Sequence, residues 1–382
     1  VPSLRAKHWT ILFTGLMPNL GPSKYGPARF IILSETGVPS FGIMKFLGVS
    51  IGGRHLNFGT SCEEFYILYM MINFLIEARI SLIFGHKTFV IFSSLKILVM
   101  SAILKDLRLG SNSYIGNEHK CLVIAEIGQN HQGDIQIAKK LIIEAKNAGA
   151  DCVKFQKTSF NDKFNKSALE RVYDGPNSWG KTYGEHKKYL EFSKDQFLEL
   201  QEFALNNEII FSSSAMDMVS VDFLCDLGVP FLKIGSGDSN NLPMIEYAAK
   251  KYIPLIISTG MIDKGDVVKI YNIVKKYHTK FCLLHCVSSY PTPYEDCNLN
   301  VIKDYQKSFP DIHIGYSGHE LGISTTISAV VERHFTLGKS QKGSDHGCSL
   351  TPPELTELIK QIRIVESALG NPIKTINQVT YY

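Results

Sequence analysis

The sequence predicts an α/β chain built around a closed (β/α)8 TIM barrel, and three observations lead there. From residue 121 to residue 369, short β-branched runs alternate with amphipathic helical segments. Eight such pairs fit within about 250 residues, the size of a closed eight-stranded barrel. No glycine fingerprint of a dinucleotide site follows the first strand, which argues against the alternative, an open doubly wound sheet.

The first strand is the run CLVIAEI at 121–127, stopped by Gly128. A helix follows from Asp134, with Ile135, Ala138, Leu141, Ile142 and Ala145 on one face and Gly149 beyond its end. The second strand is DCVKFQK, 151–157. Residues 159–192 break the rhythm and read as a long functional loop over the sheet. The alternation resumes with a helix at 195–206 and the strand IIFSSSA, 209–215. Helices are then expected at 217–226, 241–250, 264–276 and 299–308, and strands at 230–237, 254–260, 280–286 and 312–318. A helix from Leu321 leads to a last strand ending at Glu332. The final helix spans 352–369, where Pro352 and Pro353 suit a first turn.

The chain divides on paper into an apolar extension (1–99), a lead-in (100–120), the barrel (121–372) and a polar tail (373–382). Residues 1–60 mix glycine, proline and apolar residues without period, and 65–104 are very apolar. The longest uncharged run there, 65–76, is short of the ~20 residues a membrane helix needs, and Glu77, Arg79, Lys87 and Lys96 interrupt the rest. A membrane anchor is therefore the weaker reading. The stronger one places 1–99 outside the functional protein, with Met100 as the start. The net charge of +4 is mild and no basic run is interleaved with aromatics, which speaks against nucleic acid. The eight cysteines are scattered without CxxC spacing, so a reducing, cytoplasmic setting is expected, with no disulfide framework.

A barrel of this kind carries its chemistry at the C-terminal ends of its strands. In order, those ends bear Glu126; Lys154 and Gln156; Ser212, Ser213 and Ser214; Lys233, Ser236 and Asp238; Ser258 and Thr259; His285, Ser288 and Tyr290; Ser317 and His319; Glu332 and His334. Lysines and hydroxyls beside glycine turns suit a phosphate. His319 and His334, each just past a β-branched run, suit a divalent metal such as Mn2+. The expected client is a small phosphorylated anion beside a metal. The blander readings are that the serines satisfy backbone groups at a strand end, and that His285 is a buried core histidine.

These residues fall in motifs that resemble the sialic acid synthases: AEIGQNHQGD from Ala125, KFQ from Lys154, GSGD from Gly235, STGM from Ser258, Tyr290-Pro291, GYSGH from Gly315 and ERH from Glu332. The segment SWGKTYGEHKKYLEFS from Ser178 resembles the animal branch, which makes N-acetylneuraminate 9-phosphate. The resemblance implies a cytoplasmic transferase of sialic acid biosynthesis that condenses phosphoenolpyruvate with N-acetylmannosamine 6-phosphate, with Mn2+ or Mg2+ as cofactor. It implies His319 and His334 as metal ligands. Lys154, Gln156, Ser213, Lys233, Ser236, Ser258, Ser288 and Ser317 would bind substrate. Glu126, Asp238, Tyr290 and Asp345 would serve the sugar and the proton transfers. Lys181, Lys187 and Lys188 favour a phosphorylated sugar over the alternative acceptor, free N-acetylmannosamine.

Two departures from the family pattern stand out. The span before Glu332 is short, so Val330 and Val331 are expected to be what remains of strand eight. The family's C-terminal domain, which resembles type III antifreeze protein, is not in this sequence, so sugar affinity and the family's homodimer are expected to suffer. A catalytically impaired barrel is the reading these departures favour.

Overall fold

Strict alternation along each strand decides the architecture, because one parity packs against helices and the other faces the barrel axis. The computed structural model describes residues 104–369, apart from 105, 111–112, 117–118 and 324–329, together with the backbone of four strands nearer the N-terminus. The apolar stretch 65–103, most of the helix expected from Leu321 and the tail from residue 370 lie outside the described residues.

Eight parallel strands close a barrel: β1 (Leu122–Gly128), β2 (Cys152–Lys157), β3 (Ile210–Ala215), β4 (Leu232–Ile234), β5 (Leu255–Ser258), β6 (Phe281–Cys286), β7 (His313–Gly318) and β8 (Val330–His334). Around them stand α1 (Ile135–Asn147), α2 (Tyr183–Leu190), α3 (Lys194–Asn206), α4 (Met218–Leu227), α5 (Leu242–Ala249), α6 (Lys264–Lys275), α7 (Asn300–Ser308) and α8 (Pro352–Leu369). Carboxylates start several of these helices. Asp134, Asp217 and Asp263 each accept a hydrogen bond from a first-turn amide.

Outward-facing Val123, Val153, Phe155, Leu232, Leu283 and Val331 join the buried faces of the helices in one apolar layer. Inward-facing Leu122, Ile124, Cys152, Phe231, Ile256 and Leu284 fill the lower half of the barrel. A hairpin of 107–109 and 113–115 adds Leu107, Leu109 and Ile115 to that floor. Above it the inward positions turn polar, and this change divides floor from mouth.

Strand eight is longer than the sequence led us to expect. It pairs with β1 from Val330↔Leu122 to His334↔Glu126, and with β7 from Tyr316↔Val331 to Gly318↔Arg333. Closure needs register partners for the strand itself, and the connection 319–329 can be short without costing any of them. Strand four is shorter than expected, because the chain turns into a single 3-10 turn at Ser236–Asp238. The region 159–192, expected as a loop, contains α2 and two short helices, Phe160–Lys163 and Lys166–Glu170. A capping box starts α2, with Thr182 and Glu185 each bonding the other's backbone amide.

The chain separates into two compact units, Val1–Ser101 and Ala102–Tyr382. In the first, where the sequence showed no period, strands 7–10, 29–36, 46–51 and 54–58 form an antiparallel sheet in that order. The Gly52-Gly53 pair between register partners Ile51 and Arg54 is the hairpin signal that could have been read. Among the described residues, no helix is long and apolar enough to cross a membrane.

Gly315 in β7 marks a tight point in the wall. A Cβ there would lie 2.5 Å from Leu284 Cδ2 and 2.6 Å from the Val330 carbonyl oxygen. Gly315→Ala should therefore cost about 1–3 kcal/mol by overpacking, read as a lower urea midpoint with an unchanged slope.

Candidate active site

Parity carries four charged side chains to the barrel axis, one layer above the apolar floor. Glu126 of β1 and Lys154 of β2 are register partners, and their side chains form an ion pair. Lys154 Nζ also donates to Ser214 Oγ at 2.8 Å and lies 3.8 Å from Glu332 Oε2. Lys233 Nζ stands 3.1 Å from Glu332 Oε1, and Ser317 Oγ donates to the same oxygen at 3.1 Å. Gln156 Nε2 donates to Glu126 Oε1 at 2.9 Å. All four charged groups are buried. Burial works against the Lys154 ammonium, but Glu126 and Glu332 outweigh it and hold its pKa above the ordinary lysine value. Burial alone would raise Glu332, and Lys154 and Lys233 instead hold it well below the usual carboxylate range.

A second group lies at the ends of β6, β7 and β8. His319 and His334 have ring centroids 5.2 Å apart, and the Tyr290 ring stands 4.0 Å from His319. His319 Nδ1 is 2.8 Å from the Val287 carbonyl oxygen. A carbonyl can only accept, so the proton sits on Nδ1 and Nε2 keeps its lone pair. Desolvation first, and His334 second, push the His319 pKa down to about 3, which keeps the ring neutral. His334 Nδ1 is buried without a hydrogen-bond partner, with Asp345 Oδ2 3.8 Å away. Burial would raise the Asp345 carboxyl, yet His334 and the Ser344 hydroxyl at 2.7 Å hold it below its ordinary pKa. The neutral His319 ring, with Nε2 left to give, and His334, whose Nδ1 has no hydrogen-bond partner, fit a divalent metal that keeps its other positions for water and substrate. No group of three His, Cys, Asp or Glu side chains placed to hold a metal occurs among the described residues.

Between the two groups lies a hydroxyl cradle around Gly260. A Cβ there would meet Ser288 Oγ at 2.5 Å, Cys286 Sγ at 2.8 Å and Ser236 Oγ at 2.9 Å. Gly260 N donates to Ser236 Oγ at 3.0 Å. Ser258 Oγ and Ser288 Oγ are buried with no hydrogen-bond partner. Buried polar atoms are normally satisfied, so these hydroxyls fit a polar ligand above β5.

Most of the residues expected at the site converge there. Asp238 is ion-paired with Lys163, and burial nonetheless holds its carboxyl above the ordinary value. Ser213 stands apart. It shares the outward face of β3 with Phe211 and Ala215, and its register partners Phe155 and Leu232 lie in the outer apolar layer. Ser214 is the β3 hydroxyl that reaches Lys154. The alternation Phe211, Ser213, Ala215 was a usable signal for that distinction. His285 also faces outward, with Nε2 2.7 Å from the Cys297 carbonyl oxygen.

Arg333, which has no part in the expected site, is wholly buried on the outer face of β8. Its Nη1 lies 3.0 Å from Glu320 Oε1, and its Nη2 donates to the Glu320 and Gly322 carbonyl oxygens at 2.6 and 3.0 Å. The residue between Glu332 and His334 thus braces the segment that follows His319.

Glu332 should matter for stability as well as for charge. Glu332→Gln leaves two buried lysines short of a carboxylate, and about 3 kcal/mol of stability should be lost at pH 7. Because the folded pKa of Glu332 is depressed, its contribution is fully present above the unfolded value of 4.5 and is lost as pH falls below it. Urea unfolding at a series of pH values should show the gap between wild type and variant narrowing below pH 4.5.

Comparison with known proteins places this geometry. Residues 141–374 match the NeuB family. The chain is 53% identical over 277 residues to the N-acetylneuraminate-9-phosphate synthases of Mus musculus and Homo sapiens, covering 71% of this chain and 77% of each relative. Among solved structures, the N-acetylneuraminic acid synthetase of Leptospira borgpetersenii, crystallised with citrate, superposes with a TM-score of 0.63 at 31% identity. That match covers 72% of this chain and 93% of the other. On sequence and barrel architecture together, the chain belongs to the NeuB family.

Proposed function

We propose that this chain joins phosphoenolpyruvate to N-acetylmannosamine 6-phosphate, giving N-acetylneuraminate 9-phosphate and phosphate. One observation carries the reading. Two buried lysines and two imidazoles share one barrel mouth, in a chain 53% identical over 277 residues to N-acetylneuraminate-9-phosphate synthases.

In this reading Lys154 and Lys233 receive the phosphate and carboxylate of phosphoenolpyruvate, and Ser236, Ser258, Ser288 and Ser317 supply the remaining hydrogen bonds. The two lysines are already shared by Glu126 and Glu332. A multivalent anion arriving at the same ammonium groups competes with those carboxylates. Glu126, beside Lys154, is placed to move a proton in the reaction. Gln156 fixes the orientation of that carboxyl through Glu126 Oε1. Asp238, raised by burial, and Tyr290, lying over His319, face the sugar.

His319 and His334 would hold Mn2+ or Mg2+, and Asp345 stands beside His334. When bound, such a metal polarises the aldehyde of the open-chain sugar. Carbon 3 of phosphoenolpyruvate bonds to that aldehyde carbon, water adds oxygen at carbon 2, and phosphate departs. Fixed cations at Lys154 and Lys233 stabilise the charge that develops on the leaving group.

Phosphate release by the full chain, measured with Mn2+ and phosphoenolpyruvate, should require N-acetylmannosamine 6-phosphate. It should stop on chelation, resume on adding Mn2+, and fall to background in His319→Ala. Release without any sugar, or full activity in His319→Ala, would refute the assignment.

A further inference from the structure

The lysines near the mouth differ in one respect. Among the described residues, every other buried or half-buried lysine has a carboxylate within 4 Å. Lys187 has none, although it is only partly accessible. Its Nζ donates to a neutral acceptor, Gln129 Oε1, at 3.0 Å. A cation withdrawn from water usually has a counter-charge. The arrangement is one in which an anion is the missing partner.

The side chain is also held in place before any ligand arrives. Lys187 lies on α2, whose start is fixed by the Thr182–Glu185 capping box and whose buried residues are His186 and Leu190. The Tyr183 ring, one turn earlier, lies 5.5 Å from Nζ. Gln129 is equally constrained, since it follows Gly128 at the end of β1, where φ is +54°, and its carbonyl accepts from Gln132 N. At longer range Asp345 and Glu191 favour the Lys187 charge and Lys163 opposes it, none of them within ion-pair distance. Asp345 in turn interacts with both site histidines. The ammonium is thus tied to the mouth by Gln129, which follows β1, and shares Asp345 as an electrostatic neighbour with the imidazole pair. Lys181 and Lys188 of the same segment are exposed.

We infer that Lys187, presented by α2 and steadied by Gln129, is a second anion subsite that takes the terminal phosphate monoester of the acceptor sugar. The inference rests on the reaction proposed above. It explains how one mouth holds two phosphates: Lys154 and Lys233 hold one at depth, and Lys187 holds the other at the rim. An ammonium-to-phosphate bond is charge-assisted on both sides, so losing it should weaken sugar phosphate binding about 10- to 100-fold.

The test compares wild type, Lys187→Gln and Lys187→Arg in the full chain with Mn2+. Calorimetry gives the affinity for N-acetylmannosamine 6-phosphate and for unphosphorylated N-acetylmannosamine, with no turnover required. In Lys187→Gln the preference for the phosphorylated sugar should collapse toward one, and Lys187→Arg should restore most of it. In steady-state assays the KM for the sugar phosphate should rise while the KM for phosphoenolpyruvate holds. If wild type binds the sugar phosphate with that preference but releases no phosphate, the proposed reaction fails and the subsite stands. If wild type turns over and Lys187→Gln keeps its preference, the subsite falls and the reaction stands. A wild type that binds neither sugar phosphate nor sugar overturns both.

Discussion

The shared pairing of Glu126, Lys154, Lys233 and Glu332 is the constraint on which the rest of the barrel depends. Each charge is withdrawn from water, and a buried charge without a partner costs several kcal/mol. The partners come from β1, β2, β4 and β8, with hydroxyls from β3 and β7 completing the set. One electrostatic requirement therefore fixes the register of most of the wall. It also explains the floor below. Leu107, Leu109 and Ile115 close the barrel's lower end, which keeps water from reaching the charges from beneath.

The same arrangement makes the mouth responsive. In the proposed reaction, an arriving substrate anion competes with Glu126 and Glu332 for the Lys154 and Lys233 ammonium groups. At the rim, Val287 fixes the His319 tautomer by a backbone contact.

Much of this could be read from the sequence, because alternation and punctuation write the barrel plainly. Asp134 and Gly149 bracket α1, and the strand-end residues were in the right order. What escaped was decided by parity or by distant pairing. Ser213 sits between two serines that face the axis, and only the apolar neighbours at 211 and 215 reveal its side. Lys163 meets Asp238 across 75 residues of chain, a pairing no local pattern encodes. The helix α2 was hidden by its length, since eight residues of mixed polarity give a weak period. Its capping box was the legible part. Strand eight was judged short from the span before it, whereas its length is set by its neighbours, β1 and β7.

The brace formed by Arg333 has a consequence for how such a chain can change. Along β8 the axis-facing carboxylate and imidazole occupy one parity, at 332 and 334, and the structural guanidinium occupies the other, at 333. Losing or gaining one residue within this strand would turn the guanidinium toward the axis and send the carboxylate and imidazole into the apolar layer. Single-residue insertions and deletions within Val330–His334 should therefore be ruinous, because they exchange the two faces of the strand.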